Sequence, residues 1–184
     1  MSRLYGPIRQ NGYVVNDVEA SAQYWAHVFG IGPFFRMDHI VYKNVQYRNQ
    51  LIDIDCSVAL AYSGDLQIEL IQQHGSAATI YSDFLEEHGE GLQHIAVWPE
   101  DYDKGLESIQ RAGGELLMEG EAGSGSRFSY FGGLIHAGAV LEVVAPSRGA
   151  FERFKMIKEA SETWDGSMPV RSYSTQAWGA ISEN

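Results

Sequence analysis

The stretch Gln10-Asn-Gly-Tyr-Val-Val-Asn-Asp-Val-Glu-Ala-Ser-Ala-Gln-Tyr-Trp-Ala-His-Val-Phe-Gly30 decides the fold, because its pattern returns as His94-Ile-Ala-Val-Trp-Pro-Glu-Asp-Tyr-Asp-Lys-Gly-Leu-Glu-Ser-Ile-Gln-Arg-Ala-Gly-Gly114. Each copy opens with a short apolar strand, passes a polar turn containing Asp, and runs an amphipathic helix into glycine. Ala22, Trp25, Ala26 and Phe29 recur at helical spacing in the first copy, and Tyr102, Leu106, Ile109 and Ala112 do so in the second. Asn16 with Glu19 reads as a capping box, and Asp101 holds the corresponding place in the second copy. Strand-like material follows each helix and ends in a glutamate-bearing strand, Asp65-Leu-Gln-Ile-Glu-Leu-Ile71 and Ala139-Val-Leu-Glu-Val-Val-Ala-Pro146. The first copy is longer, 10 to 69 from opening residue to closing glutamate against 94 to 142. The excess falls in strands and loops, where length change is tolerated. Strand, helix, strands and glutamate in one order define an internal repeat of two βαβββ units.

Around that repeat the chain divides into a first module over 1–72, a connector over 73–90, a second module over 91–146, and a C-terminal helix and arm over 147–184. The connector carries a short helix over 78–87. After Pro146, Ala150, Phe151, Phe154, Ile157 and Trp164 make an apolar stripe on an otherwise charged helix. From Asp165 onward the chain is polar, with Met168, Tyr173 and Trp178 scattered through it. The expected class is α+β: tandem modules forming a curved mixed sheet around a cleft.

A chain of 184 residues can bury roughly 70% of its unfolded surface and needs no staples. Its single cysteine, Cys56, excludes an intrachain disulfide, and its place in an apolar strand reads as a buried structural thiol. No apolar run approaches the ~20 residues of a membrane span, and the N-terminus lacks the apolar core of a signal peptide. A net charge of −11 argues against binding nucleic acid or an anionic membrane through a basic face. A small anionic ligand stays open, because a few local cations or a metal can override the global field. The expected location is the cytoplasm.

Glu69 lies between Ile68 and Leu70, and Glu142 between Leu141 and Val143. Strand alternation turns each acid away from its apolar neighbours, and a buried carboxylate must find a partner or raise its pKa. Either glutamate alone reads as an exposed position on a half-wet sheet, and His94 alone as a structural histidine. Their equivalence within a repeat changes that balance. One N/O donor, Gln10 or His94, opens each unit, and one carboxylate closes it. If the first and last strands of each unit pair, and the units pack pseudo-symmetrically, the four donors meet. One imidazole, one amide and two carboxylates suit a divalent ion such as Zn, Ni, Co, Mn or Mg.

With these features the sequence resembles the vicinal-oxygen-chelate superfamily, which includes glyoxalase I, methylmalonyl-CoA epimerase, extradiol dioxygenases and the fosfomycin- and bleomycin-resistance proteins. The likeness covers roughly residues 7 to 146 and is carried by Gly12-Tyr-Val-Val-Asn-Asp-Val-Glu-Ala-Ser21, Gly91-Leu-Gln-His-Ile-Ala-Val97 and Ala139-Val-Leu-Glu-Val-Val144. Gln10 stands where dioxygenases and fosfomycin-resistance enzymes have histidine. The order Gln10, Glu69, His94, Glu142 is similar to glyoxalase I, whereas Val28-Phe-Gly-Ile-Gly-Pro-Phe-Phe35 resembles the epimerase branch. Both branches imply proton transfer alpha to a carbonyl or thioester, by a metal-dependent isomerase or lyase (a lactoylglutathione lyase in the glyoxalase case). The resemblance implies Glu142 as first candidate for the base, with Glu69 at the pseudo-equivalent place. It also implies a homodimer, and a substrate such as a thioester or glutathione adduct. The alternatives are a drug- or metabolite-binding protein of the same fold and an extradiol-type dioxygenase.

Three basic residues are candidates for substrate contact: Arg127 in the loop Gly123-Ser-Gly-Ser-Arg-Phe-Ser-Tyr130, and Arg36 and His39 after Gly30-Ile-Gly-Pro-Phe-Phe35. Surface roles fit Arg36 and His39 equally well. Phe34, Phe35, Tyr130 and Phe131 could line a pocket or fill the core. The glycine-serine loop lacks the Lys-Ser/Thr of a phosphate-binding loop.

Overall fold

In the computed structural model, which describes residues 2, 4–123, 125–134 and 140–173, the first repeat unit starts with β1 (Ile8–Val14), α1 (Val18–Phe29) and β2 (Phe34–Met37). A small hairpin follows, β3 (Tyr42–Tyr47) and β4 (Gln50–Leu51), before the unit ends in β5 (Asp55–Ser63) and β6 (Leu66–His74). The connector forms α2 (Ile80–His88). The second unit is β7 (Gly91–Val97), α3 (Tyr102–Arg111), β8 (Glu115–Ala122), β9 (Arg127–Gly132) and β10 (Val140–Ala145). The chain continues through α4 (Arg148–Glu162) to a short β11 (Val170–Ser172). Trp178 of the expected arm lies outside the described residues.

All the strands join one sheet in the order β11-β2-β5-β6-β1-β7-β10-β9-β8-β3-β4. Each repeat unit contributes four neighbouring strands, its first strand lying parallel to its last: β1 with β6, and β7 with β10. The two units join where β1 and β7 run antiparallel. The extra length of the first unit is the β3–β4 hairpin, which leaves β2 near one edge of the sheet and pairs with β8 near the other. Only residues 38–41 make that passage, so the sheet must curl until its edges approach; it remains unclosed.

The helices start where their caps dictate. Asp17 accepts from the Ala20 amide, so α1 begins one residue later than an Asn16–Glu19 box would place it, and Glu19 is freed to pair with Arg36. Asp101 accepts from the Lys104 amide and starts α3 as expected. Thr79 forms a reciprocal box with Ser82 at the head of α2. α1 covers Ile68 and Leu70 on the outer face of the sheet, and α3 covers Leu141 and Val143. Alternation therefore sends Glu69 and Glu142 to the concave face. α4 lies against that inner side, with Ala150 and Ile157 fully buried. Cys56 is buried in the same core, and burial pushes its thiol up to about 12.

Candidate metal centre and cavity

Strand register brings the expected donors together. Glu69 pairs across β1 with Gly12, which pairs across β7 with His94. Two residues along, Gln10 pairs with Ala96, which pairs with Glu142. The four donors thus sit at the corners of a block on one face, whose other two positions are the small residues Gly12 and Ala96. A one-residue bulge precedes each opening donor: Arg9 is the extra residue before Gln10, and Gln93 the extra residue before His94. Bulges re-aim neighbouring side chains. Here the Gln93 Oε1 reaches the His94 Nδ1 at 2.7 Å.

That contact turns the His94 Nε2 toward the carboxylates, 3.5 Å from an oxygen of Glu69 and 3.5 Å from an oxygen of Glu142. Both distances exceed a normal N–H···O bond. The buried His94 Nε2 and Glu142 Oε2 have no hydrogen-bond partner among the described residues. Unsatisfied buried polar atoms are costly, and a cation between them would satisfy both. Gly12 leaves the room: a Cβ there would lie 1.9 Å from His94 Cε1 and 2.2 Å from Nε2. The imidazole lies directly over bare backbone, with the Tyr130 ring edge-on at 5.2 Å. Gln10 is buried and lines the same cavity; its amide donates to Gln67, whose own amide donates to the Tyr62 hydroxyl.

Electrostatics follow from burial. Desolvation, followed by the Glu69 charge, pushes Glu142 up to about 7 against the opposing pull of His94 and a Tyr130 hydrogen bond. Burial depresses His94, but the close Glu69 carboxylate and the charges of both acids outweigh it and hold the imidazole above its ordinary range. A divalent ion between the Glu142 carboxylate and the His94 imidazole would stabilise the ionised acid and take the place of the imidazole proton.

The cavity above these donors measures about 370 Å³. Tyr42, Tyr81, Phe128 and Tyr130 wall it, and α4 closes it with Arg153 and Phe154. Phe154 stacks on Trp98 at 5.1 Å, and the Trp98 indole nitrogen is buried without a partner among the described residues. Of the four aromatics that could line a pocket, Tyr130 does so, while Phe34 and Phe131 are fully buried core residues.

The three basic residues expected at the substrate lie elsewhere. Arg127 sits over the outer Tyr102 ring and pairs with Asp103, because strand parity turns it away from the cavity. Arg36 pairs with Glu19 and Asp38, since it faces α1. His39 is exposed and bonds Asp55. Among the described residues two basic side chains line the cavity, Lys43 and Arg153, and Arg153, on the C-terminal helix, is the one within the field of Glu69. Sequence reading missed it because that helix shows Arg, Lys and Glu together on its polar side. Gly12 and Ala96 were also missed, though their small size at equivalent repeat positions was visible.

A family model described as the Glyoxalase/Bleomycin resistance protein/Dioxygenase superfamily matches residues 9–131. Among solved structures, methylmalonyl-CoA epimerase from Mycobacterium tuberculosis superposes with a TM-score of 0.56 at 18% identity, covering 80% of this chain and 92% of that one. A Streptomyces coelicolor methylmalonyl-CoA epimerase variant, bound to 2-nitronate-propionyl-CoA, gives 0.52 at 17% identity over 76% and 94%. A hypothetical protein from Bacillus halodurans C-125 gives 0.55 at 14% identity over 75% and 92%. At these identities the likeness establishes the fold. No curated protein matches the chain in sequence.

Proposed function

Because the chain belongs to the Glyoxalase/Bleomycin resistance protein/Dioxygenase superfamily, we propose that it is a metal-dependent isomerase or lyase moving a proton alpha to a carbonyl or thioester. One observation carries this reading: a buried imidazole whose unpartnered nitrogen faces two carboxylates at 3.5 Å. Gln10, Glu69, His94 and Glu142 would hold the divalent ion, which when bound acts as a Lewis acid toward substrate oxygen.

The chain's own groups supply the proton transfer. Glu142 is buried and lines the cavity beside the other donors, so its carboxylate would reach a proton on a substrate carbon held there. Glu69, related to it by the repeat, would serve the opposite face of the same carbon. The aromatic wall and α4 would limit the access of water to an enolate-like species. Arg153 would hold an anionic oxygen of the substrate, and the Trp98 indole would offer one further donor. The cavity volume suits a small acyl or adduct head, so a thioester carrier such as coenzyme A would extend outward. Glyoxalase and epimerase activities both fit these features. A homodimer in the cytoplasm belongs to the same proposal, and light scattering on the purified protein checks its oligomeric part. No helix among the described residues is long and apolar enough to cross a membrane.

The test is NMR in deuterium oxide on metal-loaded protein, with 2-methyl acyl-CoA thioesters and with the glutathione–methylglyoxal hemithioacetal. Deuterium entering the alpha carbon of the thioester marks an epimerase, and a lactoyl thioester product marks a glyoxalase. Consumption of oxygen with a catechol and Fe(II), with no exchange on any carbonyl substrate, would replace this reading with a dioxygenase. Tight ligand binding without either chemistry would replace it with a binding protein.

A further inference from the structure

A second group of metal-ligating side chains lies outside the cavity. Asp55 opens β5 and pairs in register with His74 at the end of β6. His39 reaches them from the 38–41 passage between β2 and β3. Its Nδ1 lies 2.9 Å from both Asp55 oxygens, and its ring sits 5.0 Å from that of His74, tilted by 34°. One ligand atom from each of the three residues lies within 4.8 Å of the others. Ser57 bonds the His74 Nε2 at 2.8 Å and fixes the orientation of that ring. Two tilted imidazoles and a carboxylate whose ligand atoms lie this close offer a single cation three donors at once.

We propose that His39, Asp55 and His74 form a second divalent metal site, built of two imidazoles and one carboxylate with open positions for water. The imidazole pair selects Zn, Ni, Co or Cu over Mg or Ca. The location gives the site a consequence. His39 directly precedes Ile40 and Val41, which line the cavity. An ion here ties the passage carrying that cavity wall to the β5–β6 hairpin. Half-exposed ligands and only three donors make this the weaker of the two sites.

This site stands independently of the proposed activity and is tested separately. Zinc competition against a chromophoric chelator should count two classes of site per chain in the wild-type protein. His39→Ala and His74→Ala should each weaken the second class at least tenfold and leave the first unchanged. His94→Gln should remove the first class and leave the second. Substoichiometric Cu(II) added to the His94→Gln variant should broaden the ring-proton NMR signals of His39 and His74 before those of His27 and His88. Weak binding unaltered in both alanine variants, or broadening spread evenly over all surface histidines, would overturn the proposal. Because His39 is largely exposed, its alanine variant should fold normally, so lost binding cannot be ascribed to unfolding.

Discussion

Gly12→Ala should dismantle the centre without touching a donor. The added Cβ would start 1.9 Å from His94 Cε1, 2.2 Å from Nε2 and 2.5 Å from Nδ1. Ordinary carbon contact needs ~3.5 Å, so the ring must retreat by about 1.6 Å. It has little room: the histidine is fully buried, Tyr130 stands edge-on above it, and Gln93 grips its Nδ1. Overpacking of this kind costs about 1–3 kcal/mol. For a chain of this length, that lowers the melting temperature by roughly 2–12 °C, at ~2–4 °C per kcal/mol. Ligand distances tolerate only about 0.2 Å. Metal affinity should therefore fall by more than the 10- to 100-fold typical of disturbing an outer-shell partner. Gly91→Ala in the adjoining strand is the control, because its Cβ would meet only Phe84 Cζ at 3.8 Å. Calorimetric zinc titration and thermal unfolding of both variants provide the assay. If Gly12→Ala binds zinc as tightly as the wild type, His94 is not a ligand held over Gly12, and the strand register does not build the centre.

Glu142→Gln should abolish alpha-carbon exchange by at least 100-fold while leaving substrate affinity within a few-fold, as expected for a group acting as base; equal loss in kcat and binding would demote it to a positioning role. Arg153→Gln should raise KM for an anionic substrate about tenfold or more, whereas Arg127→Gln and Arg36→Gln should leave kinetics unaltered. The metal-free protein should lose stability as pH rises. The folded-state pKa of Glu142 is raised to about 7, so ionising it inside the fold is penalised above its ordinary 4.5, by on the order of 3 kcal/mol once complete. His94, also raised, contributes stability that is present below 6.5 and lost as pH climbs through its folded value, which is the same direction. Metal binding releases those protons. The gap between metal-loaded and metal-free melting temperatures should therefore widen from pH 5.5 to 8, and a gap that narrows would contradict the assignment.

The repeat made most of the fold legible. The helix periodicities, the equivalence of Glu69 with Glu142 and the parity that turns both inward could be read from residue pattern alone. The pairing of first and last strands was only a condition for the four donors to meet, and the structure meets it with β1 beside β6 and β7 beside β10. Long-range geometry was hidden. The β3–β4 hairpin crosses to the far edge of the sheet only because the sheet curls, and no local propensity encodes that curl. Arg127, Arg36 and His39 flank glycine-rich loops, but loop proximity in sequence does not give parity on a strand. Asp103, Glu19 with Asp38, and Asp55 respectively engage them outside the cavity. Arg153 comes from beyond the repeat altogether, carried over the cleft by a helix whose docking depends on Ala150 and Ile157 filling the inner core. Gln93 acts through a bulge, a feature of pairing register that one strand read alone cannot reveal.

The most direct measurement is an anomalous difference map from crystals of the protein loaded with Co(II). A metal held by the four donors predicts a peak on the concave face between β1 and β7, about 2.0–2.2 Å from the His94 Nε2 and from oxygens of Glu69 and Glu142, with the Gln10 amide facing it. A map with no peak at His94, or a cobalt peak touching none of these four residues, would contradict it.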